Sequence, residues 1–148
     1  MPMRTAQTVW QGPLETGTGK VELASSHAGR FDVSFPRRTA DSAGGTTSPE
    51  ELIAAAHCSC YAMQLSALID AAGGTVRRLE VTADVSLGPD PAGGLRLARV
   101  NLTLGGDVEG LDAETYARLA GEARAGCPVS KALAGVQIAI QVQTPTLR

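Results

Sequence analysis

Aromatic side chains are scarce: one Trp, two Tyr and two Phe make up 3% of the 148 residues. So few rings provide no stacking platform for unpaired bases. A basic field is missing as well. Lys and Arg number 13 against 15 Asp and Glu, a formal net charge of -2 with a pI near 5.6, so no overall positive potential draws a polyphosphate and nucleic acid is not an expected partner. An unbroken apolar run of the roughly 20 residues that cross a bilayer is also absent. The best candidate, Leu52 to Ile69, is interrupted by His57, Gln64 and several small polar residues, so no membrane span is expected. Met1-Pro2-Met3-Arg4-Thr5 is not followed by an apolar stretch, which argues against a secretory leader and makes the cytoplasm the expected address. Cysteine is sparse and odd in number, with three in the chain. That count argues against a disulfide-stapled extracellular scaffold and for thiols kept for reactivity or packing.

What is present is ordinary for one soluble domain spanning residues 1–148: 43% hydrophobic residues, with Val, Leu, Ile and Ala to build the core. Alternation near Thr8-Val9-Trp10, Lys20 to Leu23 and Arg30 to Phe35 predicts three short strands separated by glycine turns. Gly17-Thr18-Gly19-Lys20 lacks phosphate-loop spacing and falls between predicted strands, so it reads as part of a hairpin. From Pro36 to Thr47 the chain is polar and without period, which reads as a surface loop. Ser48-Pro49-Glu50-Glu51 is a helix start, with Ser48 as N-cap, Pro49 at the first helical position and Glu51 closing a capping box. The helix to about Ala72 is apolar nearly all round and is expected to be buried on most faces, stopped by Gly73-Gly74. Thr75 to Leu87 and Leu95 to about Val108, joined by a turn over Pro89 to Gly94, read as a hairpin. A second helix capped by Asp112 runs to about Ala125 with Tyr116, Leu119 and Ala120 on one face. A short helix from Pro128 to Ala134 and a strand from Val136 to Val142 follow. The order of elements is that of an α+β fold.

Helical geometry separates the thiols. Cys58 and Cys60 are two residues apart, about 200° around the axis, and cannot share a site. His57 and Cys60, three apart, lie near one face. Cys127 precedes Pro128 in Gly126-Cys127-Pro128-Val129-Ser130, which makes it the N-cap of the short helix, where amide donors favour a thiolate. Taken by themselves, the residues leave Cys60 and Cys127 open between redox thiols and packed ones. Cys58 reads as an inert small hydrophobe, and His57 as a hydrogen-bonded core histidine. Arg37-Arg38 reads as solvated loop charge and Glu50 as compensation of the helix dipole.

The segments Thr47 to Ser66, with its Ser48-Pro49-Glu50-Glu51 start and Ala56-His57-Cys58-Ser59-Cys60-Tyr61, and Gly126-Cys127-Pro128-Val129-Ser130-Lys131-Ala132-Leu133 resemble the OsmC and organic hydroperoxide resistance family of thiol peroxidases. Trp10-Gln11-Gly12, Ala83-Asp84-Val85 and Val108 to Asp112 add to the likeness, which covers nearly the whole chain. His57, where the hydroperoxide-resistance branch tends to carry an aromatic, points to the OsmC branch. Tyr61 stands where phenylalanine is usual, and Cys58 where a small residue is usual.

The resemblance implies an OsmC-like fold of antiparallel sheets around a long buried central helix, in an intertwined homodimer. It implies that Cys60 is the peroxidatic cysteine, Cys127 the resolving cysteine, and Glu50 the carboxylate that orients an activating arginine, Arg38 being preferred to Arg37. No cofactor and no metal is implied. The expected activity is the reduction of organic hydroperoxides to alcohols through a Cys60 sulfenic acid and a Cys60–Cys127 disulfide, reopened by a dithiol reductant of lipoyl type. Apolar surroundings that include Tyr61 and Met63 favour organic substrates over hydrogen peroxide. Ten helical residues from Glu50 to Cys60 rise about 15 Å, too far for both to meet one guanidinium. Glu50 and Arg38 of one subunit are therefore expected to complete the Cys60 site of the other. The alternative is a binding module on the same fold, for a small ligand or for a soft metal ion held by His57, Cys60 and Cys127.

Overall fold

The structure, a computed structural model, describes residues 1–143 and 145–148 and divides into two compact units, Met1–Leu52 and Ile53–Arg148. The first unit opens with three antiparallel strands in sequential order, β1 (Gln7–Gln11), β2 (Thr18–Glu22) and β3 (Arg30–Val33). Trp10 pairs with Gly19, where a Cβ would come within 2.9 Å of the indole and 2.8 Å of Val33. Only glycine lets Trp10 and Val33 close over the sheet at this point. The expected surface loop after Pro36 needs correction at its start. Phe35–Arg38 form one helical turn, α1, because Ser34 caps it through a bond from the Arg37 amide and Pro36 sits in the first turn, where its missing N–H costs nothing.

The long helix α2 (Pro49–Ala71) begins as its sequence signals require, with the Glu51 amide donating to Ser48 Oγ at 3.2 Å. The box closes differently from the expectation, since the Glu51 carboxylate accepts from the Thr47 hydroxyl. At the other end Gly73 has a φ of +82°, and the Gly74 amide donates to Ile69 O at 2.9 Å, satisfying a terminal carbonyl.

In the second unit, β4 (Thr75–Pro89) and β5 (Leu95–Glu109) form the predicted hairpin. The helix α3 (Ala113–Gly126) is capped by Asp112, whose Oδ1 accepts from the Thr115 amide, and α4 (Pro128–Ala132) follows with Cys127 as its N-cap. The sheet is not wholly antiparallel as expected: β6 (Gln137–Val142) and β7 (Thr146–Leu147) both run parallel to β5. The chain returns to β5 only after crossing through α3 and α4, and a crossover of that length is what parallel pairing needs. The two-residue β7 carries no period by which to be predicted.

Along α2, burial within one chain is uneven. Within the chain only one stripe is fully buried, His57, Tyr61, Leu65 and Ile69 at four-residue spacing, while Met63 is 73% exposed. The stripe joins Val100, Leu102, Leu104 and Val108 of β5 and Tyr116, Leu119, Ala120 and Ala123 of α3 in one core. Burial of each large apolar side chain there contributes about 1.5–3 kcal/mol. The remaining apolar faces of α2 are not sealed by the chain's own core. By length and composition the helix is apolar enough to cross a bilayer, so the interruptions at His57 and Gln64 do less than expected. The packed stripe is the pattern of a core helix.

Candidate active site

Arg38 closes the single turn of α1, and Glu50 lies in the first turn of α2. The guanidinium clasps the carboxylate through Nε, 3.1 Å from both oxygens, and through an Nη at 2.7 Å from one of them. Burial alone pushes the Glu50 carboxyl up. The bonds from Arg38, with help from Glu50's own amide and from Ser48, outweigh it and hold the group below the usual carboxylate range. The same pairing raises Arg38 further. Arg37 is exposed, its guanidinium lying over Gly44. Of the two arginines, only Arg38 engages Glu50. Arg38 also lines a groove of about 390 Å³ whose walls are Trp10, Leu14, Val21, Phe35 and Leu52, an apolar hollow with one cation in its wall.

The thiols form the other pair. Cys60 projects from α2 and Cys127 caps α4; their Sγ atoms lie 3.2 Å apart although 67 residues separate them. Cys127 is fully buried and Cys60 half-buried, and all three cysteines are free. Burial pushes the Cys60 thiol up and the neighbouring Cys127 adds to the rise, with only the Val129 amide opposing. Burial opposes ionisation of Cys127 too. There the Ser130 amide, Cys60, the Ser130 hydroxyl and the Val129 amide prevail, and Cys127 is held below the usual thiol range. The contact thus shifts the two thiols in opposite directions, Cys60 up and Cys127 down.

His57 and Cys58, neighbours in sequence, part ways. The imidazole of His57 is wholly buried with Nε2 2.7 Å from Ser130 Oγ, the hydrogen-bonded core position expected of it. Cys58 turns elsewhere, its Sγ 3.5 Å from the Ala55 carbonyl. Among the described residues no three His, Cys, Asp or Glu side chains are grouped to hold a metal ion, so the soft-metal alternative has no donor set. Tyr61 points into the core, donating to Ala120 O, and Met63 is exposed. Ser130 was not singled out from sequence. Its signal was a hydroxyl in the first turn of α4, three residues after Cys127.

An α+β chain whose distant segments bring two free thiols into contact, one open and one buried, is of the dithiol type. The chain belongs to the OsmC-like protein family, whose profile matches residues 42–142. It is 37% identical over 130 residues to the protein named Peroxiredoxin OsmC of Escherichia coli (strain K12), covering 88% of this chain and 89% of that one. The organic hydroperoxide resistance protein OhrB of Bacillus subtilis superposes with a TM-score of 0.71 at 26% identity, over 94% of this chain and 98% of that one. An organic hydroperoxide resistance protein OsmC of Legionella pneumophila shares the fold with a TM-score of 0.72 at 24% identity, over 97% and 100% of the two chains.

Proposed function

We propose that the protein is a thiol peroxidase that reduces organic hydroperoxides to alcohols with Cys60 and Cys127, and so protects against oxidative stress. The observation that carries this reading is the 3.2 Å contact between a half-buried Cys60 and a fully buried Cys127. A peroxide reaches the open sulfur, and the buried one waits behind it. The Cys60 thiolate attacks a peroxide oxygen, the O–O bond breaks, and the alkoxide leaves to take up a proton. Cys127 then attacks the sulfenic sulfur, the S–O bond breaks, and water leaves as the disulfide forms before over-oxidation. A dithiol, of the lipoyl kind, reopens the disulfide by exchange.

Cys60 needs a cation for the first step, because burial and Cys127 both disfavour its thiolate. In this reading Arg38, held by Glu50, takes this role and stabilises the leaving alkoxide. The apolar groove that Arg38 lines suits the organic part of the substrate. In this reading the arginine comes from a second copy of the chain, with α2 at the centre of a homodimer. Apolar surface left open within one chain supports that assembly: Val9, Trp10, Leu14 and Phe31 in the first unit and Met63 on α2 are all at least 40% exposed. Three free thiols suit the reducing cytoplasm.

The test is consumption of an organic hydroperoxide, with alcohol formed in equal amount, under a dihydrolipoyl-type dithiol. Wild type is expected to turn over and Cys60→Ser to show none. Equal rates in the two proteins would refute the reading.

A further inference from the structure

The two sulfurs do not meet alone. His57, Cys60 and Gln64 stand at i, i+3 and i+7 on α2, along one face of the helix. Each meets a residue where α3 passes into α4. His57 Nε2 is 2.7 Å from Ser130 Oγ, and Cys60 Sγ is 3.2 Å from Cys127 Sγ. The Gln64 amide lies over Gly126, where a Cβ would stand 3.0 Å from Nε2 and 3.3 Å from Cδ. The contacts form three rungs between the two segments, with the pair of thiols in the middle. Ser130 and Cys127 belong to one turn, closed by the bond from the Lys131 amide to Cys127 O at 3.0 Å, so whatever holds Ser130 in place also holds Cys127.

The His57 rung stands where an apolar side chain would pack without penalty. The ring takes the first position of the buried stripe that continues with Tyr61, Leu65 and Ile69. It is wholly buried, and its Nδ1 has no hydrogen-bond partner among the described residues, which is unfavourable in an interior. Two apolar side chains would join α2 to α4 without leaving such an atom unpaired. What the imidazole adds is the bond to Ser130, a residue only 6% exposed, so water hardly competes for it. Either neutral tautomer makes this bond, because a hydroxyl both donates and accepts.

We propose that His57 and Ser130 are positioning residues for the resolving step, their bond being the pin that holds the start of α4 against α2 and keeps Cys127 about 1 Å from bonding distance to Cys60. The role deepens the two-cysteine reading and rests on its Cys60–Cys127 disulfide. In that step the Cys127 sulfur bonds to the sulfur of the Cys60 sulfenic acid, the S–O bond breaks, and the oxygen leaves as water with the proton of the thiol. His57 and Ser130 exchange no proton with either sulfur. Their contribution is proximity: a sulfur already in place reacts as though at high concentration, and a displacement of about 1 Å forfeits much of that gain. The pin therefore acts on closure of the disulfide and not on the first attack, which needs only the open sulfur of Cys60.

Exchange with oxidised glutathione tests this without peroxide. Cys60 attacks one glutathione sulfur, releasing a first glutathione and leaving a mixed disulfide, from which Cys127 expels the second. In chains that carry Cys58→Ser, the equilibrium gives the effective concentration of the two thiols, and quenched samples weighed by mass spectrometry give the rates of mixed-disulfide formation and of closure separately. Ser130→Ala is expected to lower the effective concentration and the closure rate by about tenfold, the scale of one lost hydrogen bond, with formation of the mixed disulfide unchanged. His57→Phe should lose about as much, and the double variant little more, since both changes remove the same bond. His57→Gln, which can still bond Ser130, is expected to keep most of the wild-type value. An unmoved effective concentration in folded Ser130→Ala, fully additive losses, or equal slowing of both steps would each overturn the inference. Should His57→Phe not fold, Ser130→Ala, which removes a single heavy atom, and His57→Gln decide the matter. A wild type that closes its disulfide with glutathione but leaves an organic hydroperoxide unconsumed would refute the peroxidase reading alone.

Discussion

Arg38 grips Glu50 with Nε and one Nη on a carboxylate whose residue is only 8% exposed, while Arg37, one position earlier, is exposed. The two arginines are thus unequal before any substrate binds. Arg38→Ala is expected to lower kcat/KM for an organic hydroperoxide by about 100-fold, the scale of losing a placed electrostatic group. Arg37→Ala should stay within about twofold. Steady-state kinetics of the two variants decides, and equal losses would contradict the assignment.

The Glu50 pairing also has a pH signature. Its carboxyl is held below the ordinary range in the folded protein, so the folded state favours the charged form more than the unfolded state does. The stabilisation is complete above the ordinary carboxylate range and is lost as pH falls through the lowered folded value. Urea unfolding of wild type and Glu50→Gln should show a stability gap at neutral pH that closes in acid. A gap independent of pH would show that the ionised carboxylate is not its source.

The shared-site dimer predicts complementation. A Cys60→Ser chain and a Glu50→Ala chain are each expected to be nearly inactive. Unfolded and refolded together, they form heterodimers in which one site has both an intact Cys60 and an intact Arg38–Glu50 pair. Activity should return to about a quarter of wild type, one site in each of the half of dimers that are mixed. Mixtures no more active than their parts would refute the sharing.

In the core, two tyrosines with equal burial have opposite prospects. Tyr61 donates its hydroxyl to Ala120 O, whereas the Tyr116 hydroxyl is buried without a partner among the described residues. Tyr61→Phe should cost about 1 kcal/mol in urea unfolding, and Tyr116→Phe should cost nothing or stabilise. The reverse order would contradict the bonding seen here.

Much of this architecture is local and was legible in the residues. Ser48-Pro49 starts α2, Gly73-Gly74 ends it, Asp112 caps α3, and the alternation of Thr75 to Leu87 marks a strand; each signal acts within a few residues of its source. The parallel return of β6 depended on how far α3 and α4 carry the chain, which no local pattern encodes. Pro36 hid α1 because proline marks both loops and first helical turns. The all-round apolarity of α2 showed that burial is required but not by what, and one chain covers only the His57, Tyr61, Leu65 and Ile69 stripe. In the site, helix periodicity separated Cys58 from Cys60. It could not bring Cys127 across 67 residues to meet Cys60; only family resemblance pointed to that pair. Ser130 stayed invisible for a similar reason, since its partner His57 lies 73 residues away.

The most direct test of the dithiol cycle is the intact mass of the reduced protein before and after one equivalent of an organic hydroperoxide, with peptide mapping of any new link. The account predicts the loss of two hydrogens and a single Cys60–Cys127 disulfide in wild type, and in Cys127→Ser the stepwise gain of oxygen at Cys60 instead. An unchanged mass with the hydroperoxide unconsumed, or a link that uses Cys58, would contradict it.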